Sequence, residues 1–332
     1  MRSNRAALAV VVTLIAAALA GPGPAGAQRP GSAPRIGALY AGTVVTAAQF
    51  NDAFTRGLRE LGYVEGQNIV IERRYADGRR ERITELAAEL VRMKVDVIAT
   101  GTDSTIAAVK QQTRTIPIVM IAASDPVGTG FVSSLARPGG NLTGTSRMST
   151  ELSAKRLELL REALPHLSRV AVMWNPDVRG AVLDFKELEA PARSMGLRLQ
   201  SVEVTQAEDL ARALDSIVEA RAEALVVVTP NPVTFANQRQ IASFAQRHRL
   251  PSIYGVHEYA ESGGLISYGA SVQASYHRAA FYIDRILKGA RPGDLPVEQP
   301  TTIELVVNLK TAKAIGLTIP PSLLRRADRV IQ

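Results

Sequence analysis

The residue types able to hold a small charged molecule gather at a few short segments of this 332-residue chain. Gly101-Thr102-Asp103-Ser104-Thr105 follows an apolar run and opens a helical pattern. Free backbone N–H groups at a helix start, with the hydroxyls of Thr102, Ser104 and Thr105, suit a carboxylate. An ordinary cap by Asp103 or Ser104 explains the same residues, and both readings can hold together. Asp125, before Pro126, either accepts an ammonium group or caps a turn. Asn175 and Asn231 each precede a proline in a strand-to-helix loop. Their amides offer a donor and an acceptor, although Asn-Pro turn chemistry accounts for them as well. Glu258 either pairs with a ligand amine or lies solvated in a loop. Tyr40, Tyr254 and Tyr268 end strands in a chain that is only 5% aromatic, so they are candidate ligand walls, with packing as the alternative. Trp174, in an equivalent position, reads as a core residue.

Catalytic constellations are missing from the sequence. There is no G-x-S-x-G elbow, no Walker loop and no G-x-G-x-x-G. His166, His248, His257 and His277 are scattered without metal-ligand spacing, so neither a metal nor another cofactor is expected. Zero cysteines exclude a thiol nucleophile, a thiolate metal site, a disulfide framework and a lipidated cysteine. Polar strand ends without a nucleophile–base pair indicate binding and no turnover.

The first 27 residues read as an address. Arg2 and Arg5 precede an apolar run from Ala6 to Ala20, Gly21-Pro22-Gly23-Pro24 breaks any helix, and Ala25-Gly26-Ala27 has the small-x-small form of a cleavage site. Fifteen residues, apolar except for Thr13, are too few for a bilayer core that needs about 20. A cleaved export signal over 1–27 and a periplasmic mature protein without stable membrane insertion are therefore expected. Cleavage removes two of the net +8 charges. The remaining excess spreads along helices and sits on no motif that reads bases, so no nucleic-acid partner is expected.

From Arg35 onward, short apolar runs alternate with amphipathic helical stretches. Strands are predicted at 35–40, 68–75, 95–100 and 116–122, with helices at 46–62, 81–94 and 104–112 between them. The order then repeats: strands at 169–174, 198–204, 224–229 and 250–256, helices at 182–195, 207–220 and 235–248, with a helix at 151–164 separating the copies. RIGALY is matched by RVAVMW, and VDVIAT by ALVVVT. Such alternation implies parallel sheets covered by helices on both faces. A strand at 265–268, a helix at 272–288, a strand at 303–308 and short helices from Lys310 and Ser322 follow. A chain that builds two lobes and continues must return, and several crossings make a hinge with a cleft between lobes. The expected fold is α/β, two Rossmann-like lobes with parallel sheets joined by a multi-strand hinge. Lobe one comprises 35–145 plus 267–300, and lobe two 146–266 plus 301–332.

Several segments carry a resemblance that covers essentially the whole mature chain. They are DPVGTGFVSSLARPGGNLTGTS at Asp125–Ser146, ELSAKRLELLREALP with RVAVMWNP, RRERITELAAELV with DVIATGT, and QPTTIELVVNLKTAKAIGLTIPPSLLRRAD near the end. Together they resemble the ABC-transporter substrate-binding proteins that include tryptophan- and tyrosine-type amino-acid binders of bacteria. The resemblance implies a type I periplasmic-binding-protein fold with a three-stranded hinge. It also implies capture of a small carboxylate-bearing ligand, such as an amino acid, and delivery to an ABC permease with its cytoplasmic ATPase. Some relatives are lipoproteins, whereas this chain has no cysteine to anchor and is expected to be free and monomeric. A sensory module serving a membrane receptor is the alternative. DNA-binding repressors of similar architecture need an N-terminal helix-turn-helix, where this chain has its leader.

Overall fold

The computed structural model describes residues 33–228 and 231–332, so the expected leader lies outside the described residues. The first sheet is wholly parallel, in the order β2-β1-β3-β4-β5, with β1 at Arg35–Tyr40, β2 at Val70–Tyr75, β3 at Val97–Thr100, β4 at Ile118–Ala123 and β5 at Leu142–Ser146. Every residue of β3 and β4 is buried, as parallel strands covered on both faces require. The edge strand β2 instead reads VIERRY and places charged side chains at its margin.

The second sheet winds the same way before it is extended. Its order is β12-β11-β10-β9-β8-β6-β7. Its strands are β6 at Arg169–Trp174, β7 at Arg198–Glu203, β8 at Ala224–Val227, β9 at Ser252–Tyr254, β10 at Ile266–Ala270, β11 at Ile303–Asn308 and β12 at Arg329–Ile331. The order β7-β6-β8-β9-β10 reproduces β2-β1-β3-β4-β5, so the internal repeat read from the sequence is a repeat of topology. Strand β11 pairs antiparallel with β10 and parallel with β12.

The C-terminal chain returns to the first sheet through one helix. Val272–Leu287 lies against Val44–Glu60, where Gly57 permits the approach: a Cβ there would stand 2.5 Å from the His277 carbonyl oxygen. Gln273 Nε2 donates to Gln49 Oε1 at 2.8 Å, and Tyr63 donates its hydroxyl to Asp284 Oδ1 at 3.0 Å. The chain passes between lobes after β5, after β10 and before β11. The first and third passages are joined, since Ser146 N donates to Glu298 O at 2.8 Å and Glu298 N to Gly144 O at 3.0 Å.

Two sequence expectations change, and one strand had no counterpart among them. Residues 267–270, assigned to lobe one, pair in register with β11, and Ile266 and Ser267 pair with β9; the return begins at Ser271, which caps the next helix. A helix expected at 235–248 is two, Pro232–Ala236 and Gln238–Arg247, meeting at Asn237. Strand β5, with the sequence LTGTS, carries too little apolar signal to be read as buried, yet all five residues are. Its Gly144 has φ +137°, and a Cβ there would fall 1.9 Å from the Met120 carbonyl oxygen. Gly144→Ala therefore combines backbone strain with a clash against β4 and is expected to cost about 3 kcal/mol or more, read as a lowered urea midpoint. An unchanged midpoint would contradict this packing.

Candidate functional site

In an open parallel sheet of this order, the chain leaves in opposite directions from the first and third strands, which opens a crevice at their carboxyl ends. In lobe one that crevice lies between Tyr40, ending β1, and Thr102, following β3. In lobe two it lies between Asn175, following β6, and Asn231, preceding Pro232. These edges face each other across two adjoining cavities.

The smaller cavity, about 80 Å³, is lined from lobe one by Tyr40, Phe50, Thr102 and Tyr276, and from lobe two by Asn231, Phe235 and Val256. Arg147, from the first passage between lobes, completes its wall. The rings form a continuous series. Tyr40 stacks on Tyr75 at 5.1 Å and on Tyr276 at 6.0 Å; Phe50 stacks on Tyr276 at 5.1 Å and meets Phe235 across the cleft at 5.7 Å. Phe235 in turn abuts Tyr259 edge-on at 6.3 Å. Burial pushes the Tyr40 and Tyr276 hydroxyls well above the usual phenol range, so both are neutral donors at physiological pH.

Arg147 is the electrostatic centre of this wall. It is 9% exposed, donates from Nη2 to Ser124 Oγ at 2.8 Å, and makes no ion pair among the described residues. Its Nε has no partner among them. Asp103, 5% exposed, accepts Ser124 N at Oδ1. Burial raises its pKa, against the pull of Arg147. A guanidinium so placed presents donors in the fork geometry that matches a carboxylate.

The larger cavity, about 230 Å³, adjoins the first at Asn231 and Pro232. Ser104, Gln111, Asn175, Thr205 and Arg80 are among its lining residues. Arg80 forms an ion pair with Asp177 across the lobes, and Arg179 Nε donates to Gly128 O at 3.0 Å. The cleft is closed at this side by lobe-to-lobe contacts.

The sequence candidates divide accordingly. Tyr40, Thr102, Ser104, Asn175 and Asn231 line these cavities. The helix is capped by Thr102, in a reciprocal box with Thr105, and not by Asp103 or Ser104 as expected, and Thr102 lines the smaller cavity as well. Thr105 is fully buried and its hydroxyl returns to the Thr102 carbonyl at 2.9 Å, which leaves it a cap alone. Asp125 is a turn residue: Oδ1 accepts Gly128 N at 2.8 Å and its carbonyl accepts Thr129 N at 3.0 Å. It lines neither cavity, and the ammonium-accepting alternative gives way to the turn. Tyr254 is stacked on Tyr259 at 4.6 Å inside lobe two, and Tyr268 packs in that lobe's core with its carbonyl accepting Arg156 Nε at 2.8 Å. Trp174 stacks on Phe185 at 4.6 Å and donates from Nε1 to Ser201 Oγ, as a packing residue does.

Glu258 is neither solvated nor at the cleft. It is 3% exposed, with both carboxylate oxygens lacking a hydrogen-bond partner among the described residues and His257 Nε2 at 3.7 Å. Sequence reasoning missed Arg147, Phe50, Phe235 and Tyr276. The aromatics sit on the apolar stripes of helices, where cleft and core look alike in sequence. Arg147 follows β5, a strand that left no readable trace.

Comparison with known proteins fits this geometry. Residues 46–331 match the family model of the ABC transporter substrate binding protein. The chain belongs to this family. A tyrosine-binding protein of Clostridioides difficile is 27% identical over 265 residues, which cover 80% of this chain and 75% of that one. A solved conserved domain protein of Vibrio cholerae superposes with a TM-score of 0.84 at 27% identity, covering 90% of this chain and all of that one. A streptococcal ABC domain in complex with L-Trp superposes with a TM-score of 0.81 at 25% identity, covering 89% of this chain and 100% of the other. The two-lobed architecture is that of type I periplasmic binding proteins. No helix among the described residues is long and apolar enough to cross a membrane.

Burial raises the Glu258 pKa, partly opposed by His257. A carboxyl whose folded pKa is raised contributes most below its unfolded pKa and loses that contribution as pH rises through the folded value. Glu258→Gln is therefore expected to raise the melting temperature at pH 8, by the equivalent of about 1–2 kcal/mol, and to lose that advantage toward pH 4. A benefit independent of pH would show that Glu258 carries no buried-charge cost.

Proposed function

We propose that this chain is the soluble, exported capture component of an ABC uptake system, and that its ligand is an amino-acid-type carboxylate with an apolar or aromatic side chain. The observation that carries this reading is Arg147, a buried guanidinium that makes no ion pair among the described residues and feels the Asp103 carboxyl only through space, beside a chamber of aromatic rings. The carboxylate would bind in the fork of Arg147 near the Thr102 hydroxyl, and the side chain would lie against Tyr40, Phe50, Phe235 and Tyr276. Relatives described as tyrosine-binding and as complexed with L-Trp favour the same class of ligand. Binding is without turnover, since the cleft offers aromatic walls, caps and one cation rather than an activated nucleophile with its base. Export rests on the leader composition of residues 1–27, and release from the membrane on the absence of any cysteine to acylate.

Lobe two contributes Phe235, Val256 and Asn231 to the smaller chamber, so a ligand seated on lobe one gains contacts only when the lobes close. That differential contact is what shifts the open–closed equilibrium. Calorimetric titration with free amino acids and their C-terminal amides tests the reading. The acids are expected to bind and the amides to bind at least about 100-fold more weakly, with Arg147→Ala reducing the acids to the same level. Acids and amides binding alike would overturn it. Phe235→Ala is expected to weaken ligands with large apolar side chains about 10-fold or more while changing alanine little, because it removes only the lid of the aromatic chamber. A uniform loss across that series would place the side chain elsewhere.

A further inference from the structure

The two cavities are unequal, and the residue where they join has a donor to spare. Asn231 is 3% exposed, and its Oδ1 accepts Val233 N at 2.9 Å and Thr234 N at 3.0 Å. Those two bonds fix which way the amide faces. Nδ2 must therefore point away from the backbone it caps, and it has no hydrogen-bond partner among the described residues. Asn231 lines both cavities.

We propose that the larger cavity is a second subsite, and that the ligand carries an acceptor-bearing extension on its amino nitrogen, as an N-acyl amino acid or a dipeptide does. The inference rests on the amino-acid reading above and goes further in naming the substituent. With the carboxylate on Arg147 and the apolar group among the rings, the amino nitrogen is the substituent left to point past Asn231. A free ammonium only donates, and it would meet the Nδ2 donor head-on. An amide carbonyl oxygen at that nitrogen accepts, and satisfies a buried donor that is otherwise costly. The space beyond suits such an extension: at about 230 Å³ it is the roomier chamber, and Ser104, Gln111, Asn175 and Thr205 give it hydrogen-bonding walls. The Arg80–Asp177 pair bridges the lobes there, so the extension would be enclosed when the lobes shut. The helix beginning at Pro232 takes no part through its own N–H groups, since the Asn231 oxygen already accepts two of them.

The test compares L-leucine and L-phenylalanine with their N-acetyl and glycyl derivatives by calorimetry, on the wild-type protein and on Asn231→Asp. Aspartate keeps the capping oxygen and removes the donor, so the fold is retained; an unchanged melting temperature checks this, and Asn231→Ser serves as a second cap-retaining variant. The acylated forms are expected to bind the wild type at least about 10-fold more tightly than the parents, which is about 1.4 kcal/mol. Asn231→Asp and Asn231→Ser are expected to erase that gain, and Asn231→Asp, which offers the free ammonium an acceptor in place of a donor, is expected to shift the preference toward the parents. Parents binding as tightly as their acylated forms, or a gain that survives both variants, would overturn the second subsite while leaving the amino-acid reading intact. If neither series binds and Arg147→Ala alters no ligand's affinity, the amino-acid reading fails and this inference with it.

Discussion

The packing of helix Val272–Leu287 on helix Val44–Glu60 is the constraint that gives this molecule its form. Once the chain has completed β10 in the second sheet, burying the apolar face of that helix against lobe one obliges it to cross back, and finishing β11 and β12 obliges it to cross again. Three passages between two lobes make the kind of connection about which lobes hinge. The backbone bonds between the Gly144–Ser146 segment and Glu298 bind two of those passages together. The same helix carries Tyr276 into the aromatic chamber, so the device that ties the lobes also builds the cleft wall.

Much of this was legible in the sequence because parallel strands buried on both faces announce themselves. RIGALY, VIAT, IVMIAA, RVAVMW and ALVV are nearly continuous apolar runs, and glycines such as Gly62 and Gly196 punctuate the helices between them. The repeat was visible for the same reason. What stayed hidden was β5, which after Leu142 consists of glycine and hydroxyl residues and is buried by backbone proximity, and β12, a three-residue edge left largely exposed. The boundary near 267 was misplaced because a strand that ends one lobe and a helix that rejoins the other are separated by a single residue, Ser271.

The site was half legible. Strand ends at the crevice positions led to Tyr40, Thr102, Ser104, Asn175 and Asn231, because topology alone dictates where loops converge. Other residues chosen on the same strand-end rule fared differently. Asp125 and Thr105 are polar residues used by turns and caps, Tyr254 ends β9 but stacks inside lobe two, and Tyr268 lies in the middle of β10 rather than at its end. Arg147 was invisible because one arginine after a weak strand looks like any surface arginine. Its importance comes from burial, which only the folded chain supplies.

The placement of Trp174 has an optical consequence. It is the sole tryptophan, held in lobe two by Phe185 and Ser201, and it lines neither chamber. Light absorbed selectively by indole therefore reports on one half-buried position in lobe two, whereas tyrosine absorption is shared among eight residues, of which Tyr40 and Tyr276 stand at the cleft. The indole thus has a single address, away from the cleft, and an indole-bearing ligand would add a second emitter lying directly against the Tyr40 and Tyr276 rings.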